Sequence, residues 1–259
     1  MLNDIYGTQE IQQYLKGVLK AFHQFCMDND IKYSVWDGSM LGTIRHKGFI
    51  PWDDDVDVIL NRENYNKLIE LCSKKQPDFH ITSRLWIRRI EIEGNKWASM
   101  DSGVIDLLVF DNTPDNPIAY KIKVLLLKIL QGMMKDMNKI ELKNYQPVYR
   151  PLVFITALMG LPFSEKTKFD WYDRISQWGN KKKTKKKGVF NEPFAYVGRI
   201  KYPNDGDEYL IMPFEDIKVM ICMRFDEYLT LTFGDYMTPP PINERMAQHI
   251  VIESNLQNS

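Results

Sequence analysis

Little in this chain is in excess. Its 34 lysines and arginines are matched by 34 aspartates and glutamates, so overall charge recruits no polyanion and no nucleic-acid partner is expected. Cysteine is scarce. Cys26, Cys72 and Cys222 lie far apart in no metal-ligand spacing, an odd, scattered set that fits a reducing cytoplasm. Long apolar runs are missing too. The two most apolar stretches, "VLLLKIL" (124–130) and "PLVFITALMGLPF" (151–163), fall short of the roughly 20 residues that cross a bilayer. "MLNDIYGTQEIQQYL" shows no basic segment leading into an apolar one, so no signal peptide is expected. There are no internal repeats, and the one low-complexity stretch is "KKKTKKK" (181–187). What remains, 44% hydrophobic and 26% charged over 259 residues, is the composition of one large globular domain or a domain with an appendage.

Periodicity divides the chain. Ile11, Leu15, Val18, Leu19, Phe22 and Cys26 recur at helical spacing. "IKYSVW" (31–36) alternates as a strand, "GSMLGTIRHKG" follows as a turn and short helix, and "DVDVIL" (55–60) reads as a second strand. A helix is expected over 62–75, one or two strands over 79–92, and a buried strand ending in turn residues over 103–117. Residues 118–180 look helical and rich in Leu, Met and aromatics. Strand-and-turn signals fill 188–217, a helix is expected over 215–232, and a proline-rich tail follows. The expected fold is α+β, a mixed sheet flanked by helices with a helix-rich C-terminal part. The expected division is a catalytic core over 1–117 and a specificity region over 118–259.

The most unusual stretch is "DGSMLGTIRHKGFIPWDDDVDVIL" (37–60), with four aspartates in five positions. Alternate strand residues share a face, so Asp55 and Asp57 point together while Val56 and Val58 enter a core. Adjacent carboxylates repel, and both stay ionised only beside a cation. Hard oxygen ligands at a strand end suit Mg2+ or Mn2+ with substrate phosphates. Asp106, flanked by Ile105 and Leu107, is costly in an apolar strand unless paired or metal-bound and would complete the set, whereas Asp111 reads as a turn residue. The competing interpretation is a solvated acidic loop. Gly38 and Ser39 suit phosphate, because glycine admits close backbone approach and the following helix presents its N–H groups. Arg45, His46 and Lys47 either hold phosphate oxygens or cap a solvated helix end. Asp53 and Asp54 read as loop-shaping residues, and Gly48, Pro51 and Trp52 as loop scaffolding.

Strand, Gly-Ser, helix, D-x-D and a later strand aspartate together resemble the nucleotidyltransferase fold. More narrowly, residues 37–60 resemble the signature of the LicD family, phosphotransferases of bacterial surface glycans related to the catalytic domains of fukutin and fukutin-related protein. "YLTLTFGDYMTPPP…H" (228–249) is similar to that family's usual ending, with Phe233 where tyrosine is usual. The resemblance implies transfer of a phospho-alcohol from a CDP-activated donor, such as CDP-choline or CDP-ribitol, to a sugar hydroxyl of a glycan such as lipopolysaccharide, teichoic acid or capsule. It implies Asp55 and Asp57 as the metal-binding D-x-D pair, Asp106 as the third carboxylate, and Gly38 and Ser39 at the donor phosphate. Other classes stay open: nucleotidyl transfer to a small molecule or macromolecule, a D-x-D glycosyltransferase, or an inactive binding scaffold.

The second half adds lysines beside a Leu/Met face (120–135) and aromatics (169–178) beside the lysine run. Such a combination suits the anionic inner face of the plasma membrane, where a lipid-linked glycan acceptor would sit. It equally suits a core helix and a solvated loop.

Overall fold

The computed structural model describes residues 4–98, 102–140 and 142–247. His249 of the C-terminal motif lies outside them. Internal contacts group the chain into two compact units. One holds residues up to 82, 88–107 and from 207 on; the other holds 83–87 and 108–206.

In the first unit, helix α1 (Gln9–Asp28) buries the apolar stripe read from its spacing, Ile11 to Cys26. Strand β1 (Ser34–Trp36) runs directly into α2 (Asp37–Arg45), and β2 (Val56–Asn61) follows the acidic loop. Asn61 caps α3 (Arg62–Lys75) by accepting the Asn64 N–H. The 79–92 segment forms two strands, β3 (His80–Arg84) and β4 (Ile87–Glu91), which break at Leu85 with φ +53°. Strand β5 (Ile105–Thr113) completes the order β1-β2-β5-β4-β3, a sheet of parallel and antiparallel strands. The α+β expectation holds.

The helix expected over 215–232 is instead a hairpin and a shorter helix. Strand β9 (Ile217–Cys222) pairs antiparallel with an upstream strand (Tyr209–Phe214, β8), and α7 (Phe225–Phe233) follows. Ile217, Val219 and Ile221 alternate, and β-branched side chains favour the pleated surface that this alternation builds. The hairpin packs on α1 and β1. There the Tyr33 hydroxyl accepts the Met220 N–H at 3.2 Å, and Ser34 Oγ accepts the Cys222 N–H at 3.0 Å.

The second unit holds the rest of β5, which pairs with β6 (Lys186–Val189); β6 pairs in turn with β7 (Lys201–Pro203). Three helices complete it: α4 (Pro117–Met133), α5 (Arg150–Gly160) and α6 (Glu165–Ser176). Leu127, Leu130, Met133, Tyr172, Phe190 and Val197 form its core. Asp111 is a buried strand residue, not a turn residue; its Oδ1 accepts Asn180 Nδ2–H at 2.5 Å. Lys187, the end of the lysine run, is also buried, over the Phe110 ring.

Helices α4 and α5 touch through small residues. A Cβ on Gly160 would lie 2.0 Å from the Met133 carbonyl oxygen. Backbone cannot yield as a side-chain tip does, so Gly160→Ala is expected to cost about 2 kcal/mol or more. Chemical denaturation of the variant, compared with wild type, measures it.

Candidate active site

The acidic cluster is assembled by the β1–α2 corner and the two strands beside it. Strands β1 and β2 are antiparallel, with Trp36 opposite Asp57. Asp37, Gly38 and Ser39 form the first turn of α2 rather than a turn ahead of it. Ser39 Oγ accepts the Asp57 N–H at 3.2 Å, which ties the helix start to the D-x-D strand. The intervening loop is held from α1: buried Gln12 donates through Nε2 to the carbonyls of Ile50 (3.0 Å) and Asp53 (2.7 Å). Thr8 Oγ1 donates to the Pro51 carbonyl.

Gly38 has a steric reason. A Cβ there would sit 2.8 Å from Asp53 Oδ2, so the absent side chain makes room for that carboxylate. Gly38→Ala is expected to shift the Asp53 side chain, disturbing its hydrogen bond to Asp55, and to lower turnover at least about tenfold while costing little stability. Paired melting curves and initial rates check it; loss of fold without loss of specific activity would contradict it.

Asp106 lies on β5 opposite Arg89 of β4. Their side chains form an ion pair, Nε to Oδ1 at 2.7 Å. Asp57 feels the charges of Asp55, Asp106, Asp37 and Asp53. Burial first, and this repulsion second, push its carboxyl well above the ordinary range. Burial and Asp55 likewise raise Asp37 to about 7. Burial and Asp55, which is also its hydrogen-bond partner, raise Asp53 well above the ordinary range.

The structure thus brings Asp55, Asp57 and Asp106 into one electrostatic neighbourhood and adds Asp53 and Asp37. Asp37 is absent from the sequence reading although it adjoins Gly38; its position between strand and helix was the available signal. It has φ +41°, a left-handed conformation that aspartate tolerates better than most residues. Arg89 carried no signal beyond being basic within a strand.

The basic cluster is arranged differently from its sequence order. Arg45 donates through Nη1 to the Tyr236 carbonyl at 2.8 Å, so the "GDYM" segment positions it. Burial, then the charge of Arg245, lower its affinity for a proton. Arg245 in turn stacks over Trp52, 5.0 Å from the ring centre. Two neighbouring guanidiniums are a ready anion seat, and Arg245 is a second residue the sequence did not single out. Lys47 is exposed, and its Nζ donates to the Ile44 carbonyl at 3.1 Å.

Residues 30–144 match the family described as LicD/FKTN/FKRP, nucleotidyltransferase domain. The chain carries a LicD-family domain. Asp37, Asp53, Asp55, Asp57, Arg89 and Asp106 all lie inside the matched range, whereas Arg245 and Tyr236 lie beyond it. Likeness continues outside the LicD domain. The chain is 24% identical to the lipopolysaccharide cholinephosphotransferase LicD of Haemophilus influenzae, over 93% of this chain and 96% of that protein. An uncharacterised protein of Rickettsia prowazekii is 40% identical over 60 residues, 23% of this chain and 22% of its own length. One of Rickettsia typhi is 40% identical over 50 residues, 19% and 16% respectively.

Among the described residues no three His, Cys, Asp or Glu side chains converge as ready-made metal ligands. Asp106 is turned onto Arg89, and Asp53 onto Asp55. The donor chemistry of the LicD domain nevertheless suits a hard divalent cation. Mutually repelling carboxylates that hold protons too tightly are the groups such an ion would ionise and draw together.

Proposed function

We propose that this chain transfers a phospho-alcohol of the phosphocholine class from a CDP-activated donor to a hydroxyl of a cell-surface glycan or its lipid-linked precursor. The observation that carries this reading is the end-to-end likeness to a cholinephosphotransferase, with the acidic cluster lying inside the shared domain. In the reaction the acceptor oxygen bonds to the donor's distal phosphorus as the bond to the bridging oxygen breaks, and CMP leaves with that electron pair. Asp106 takes the hydroxyl proton, and Arg89 orients it. Asp55 and Asp57, shared with Asp106, would hold Mg2+ or Mn2+, which supplies positive charge to a diphosphate and its leaving group when bound. Gly38 keeps the helix start open, and Ser39 fixes Asp57 through its hydroxyl. Arg45, with Arg245 beside it, neutralises phosphate oxygens. Lys47 would have to leave the Ile44 carbonyl to join them. We assign acceptor choice to residues from 118 onward, most of which the family match leaves uncovered.

The test is product analysis. With Mg2+, CDP-choline and a lipopolysaccharide acceptor, CMP should accumulate and EDTA should stop it. CDP-choline, CDP-ribitol, CDP-glycerol and CDP-ethanolamine compared by thermal shift identify the alcohol, since a donor that binds only the folded state raises the melting temperature. Pyrophosphate released from a nucleoside triphosphate would replace this reading with nucleotidyl transfer. Nucleoside diphosphate released from a sugar nucleotide would replace it with glycosyl transfer.

A further inference from the structure

Helix α5 is packed inside out. It buries only Thr156, Ala157 and Gly160, against α4. Leu152, Ile155, Leu158, Met159 and Leu161 remain 49 to 61% exposed. A surface helix in water shows the reverse, with large apolar side chains inward and polar ones outward. The neighbouring α4 buries Leu127, Leu130 and Met133 in the ordinary way, yet its Lys123 is also fully buried while its Leu125 is 57% exposed. Lys123 is accommodated because its Nζ donates to the carbonyls of Asn112 (2.9 Å) and Trp178 (3.1 Å) and sits over the Phe190 ring. The lysine is thus satisfied inside, and the leucines are left to a different medium.

We infer that the α4–α5 face docks on an anionic lipid bilayer. Small residues between helices and large apolar residues outward is the arrangement used where the surroundings are apolar. Residues 151–164 contain no charged side chain at all. The chain as a whole is neutral, yet residues 118–164 carry six lysines and arginines besides the buried Lys123, against two acids. That excess complements anionic headgroups, whereas a second copy of the same face would meet it with like charge. Aromatic rings follow the helix: Phe163 packs on Trp171, 4.7 Å between centres, and such rings favour the headgroup boundary. At 11 residues α5 is about 16 Å long, and no described helix is long and apolar enough to cross a membrane. The helix therefore lies on the surface without spanning it.

The lysine run at 181–187 is not the anchor. Its last residue is buried, and its first three line a cleft of about 1030 Å³ together with Asp115, Asp170 and Asp173, carboxylates that offset its charge.

Vesicle flotation of the full chain tests the inference without any substrate, so its outcome is separate from that of the transfer assay. Binding is expected to vesicles with about 30% phosphatidylglycerol, weakening as salt rises, and not to pure phosphatidylcholine. The double variant Ile155→Glu, Leu158→Glu should lose binding at least about tenfold. Its melting temperature should be unchanged, because both positions face outward. Absence of wild-type binding to either vesicle would overturn the inference. So would equal binding of wild type and variant, or a wild-type dimer in light scattering that the variant abolishes, which would make the face a contact between copies.

Discussion

Asp57→Asn is expected to lower transfer at least about 10³-fold while making the metal-free protein harder to melt. The two effects have one origin. Asp57 sits on β2, opposite Trp36, within reach of the charges of Asp55, Asp106, Asp37 and Asp53. An ionised carboxylate there is both desolvated and repelled, so its proton affinity is raised. Asparagine keeps the shape, removes the charge and adds two donors that neighbouring carboxylates can accept from. The gain in EDTA should be at least about 1 kcal/mol, less than the worth of one pKa unit of repulsion. The stabilisation that Mg2+ gives wild type should shrink or vanish in the variant. Near-normal turnover by a folded Asp57→Asn protein would remove the D-x-D pair from the chemistry. A melting temperature that falls in EDTA would show that the carboxylate is stabilised by its partners rather than strained by them.

Without divalent cations, the wild-type protein should lose stability as pH rises from about 4 to about 7. Asp37 is raised to about 7 in the folded protein, against an ordinary value of about 3.9 in the unfolded chain. Between these values the folded state holds a proton that the unfolded state has released. Stability therefore falls with rising pH across that window. Asp53 and Asp57, raised in the same direction by burial and by their acidic neighbours, add to the loss. The combined effect should be on the order of a few kcal/mol. Mg2+ should change little near pH 4, where the carboxyls are protonated, and stabilise strongly near pH 8. Melting temperatures across pH, with and without Mg2+, show the two curves diverging. Parallel curves would mean that the acids neither share a cation nor repel one another.

Much of the acidic cluster was legible because local sequence specifies it. Alternation placed Val56 and Val58 inward, and the apolar flanks of Asp106 marked an acid in a strand. Asp37 was harder to see because its importance depends on β1 lying beside β2, a pairing that no local pattern encodes. Arg89 gains meaning only from the register that sets it opposite Asp106. Arg245 is about 200 residues from Arg45 in sequence, and only folding makes them neighbours. The helix expected over 215–232 failed at its first half for a related reason: Ile217 to Cys222 is short and apolar, and its pairing with Tyr209–Phe214 decided in favour of strand.

The sequence alone determined that an acidic strand end follows a Gly-Ser step after a strand, because chain spacing and side-chain alternation are local facts. It also contained the charge-free stretch at 151–164. Only the tertiary structure decided which aspartates repel one another, since repulsion depends on distance across paired strands. The same holds for the orientation of that stretch. Gly132, Thr156 and Gly160 let α4 and α5 approach closely, and that close contact of small side chains turns the leucines outward.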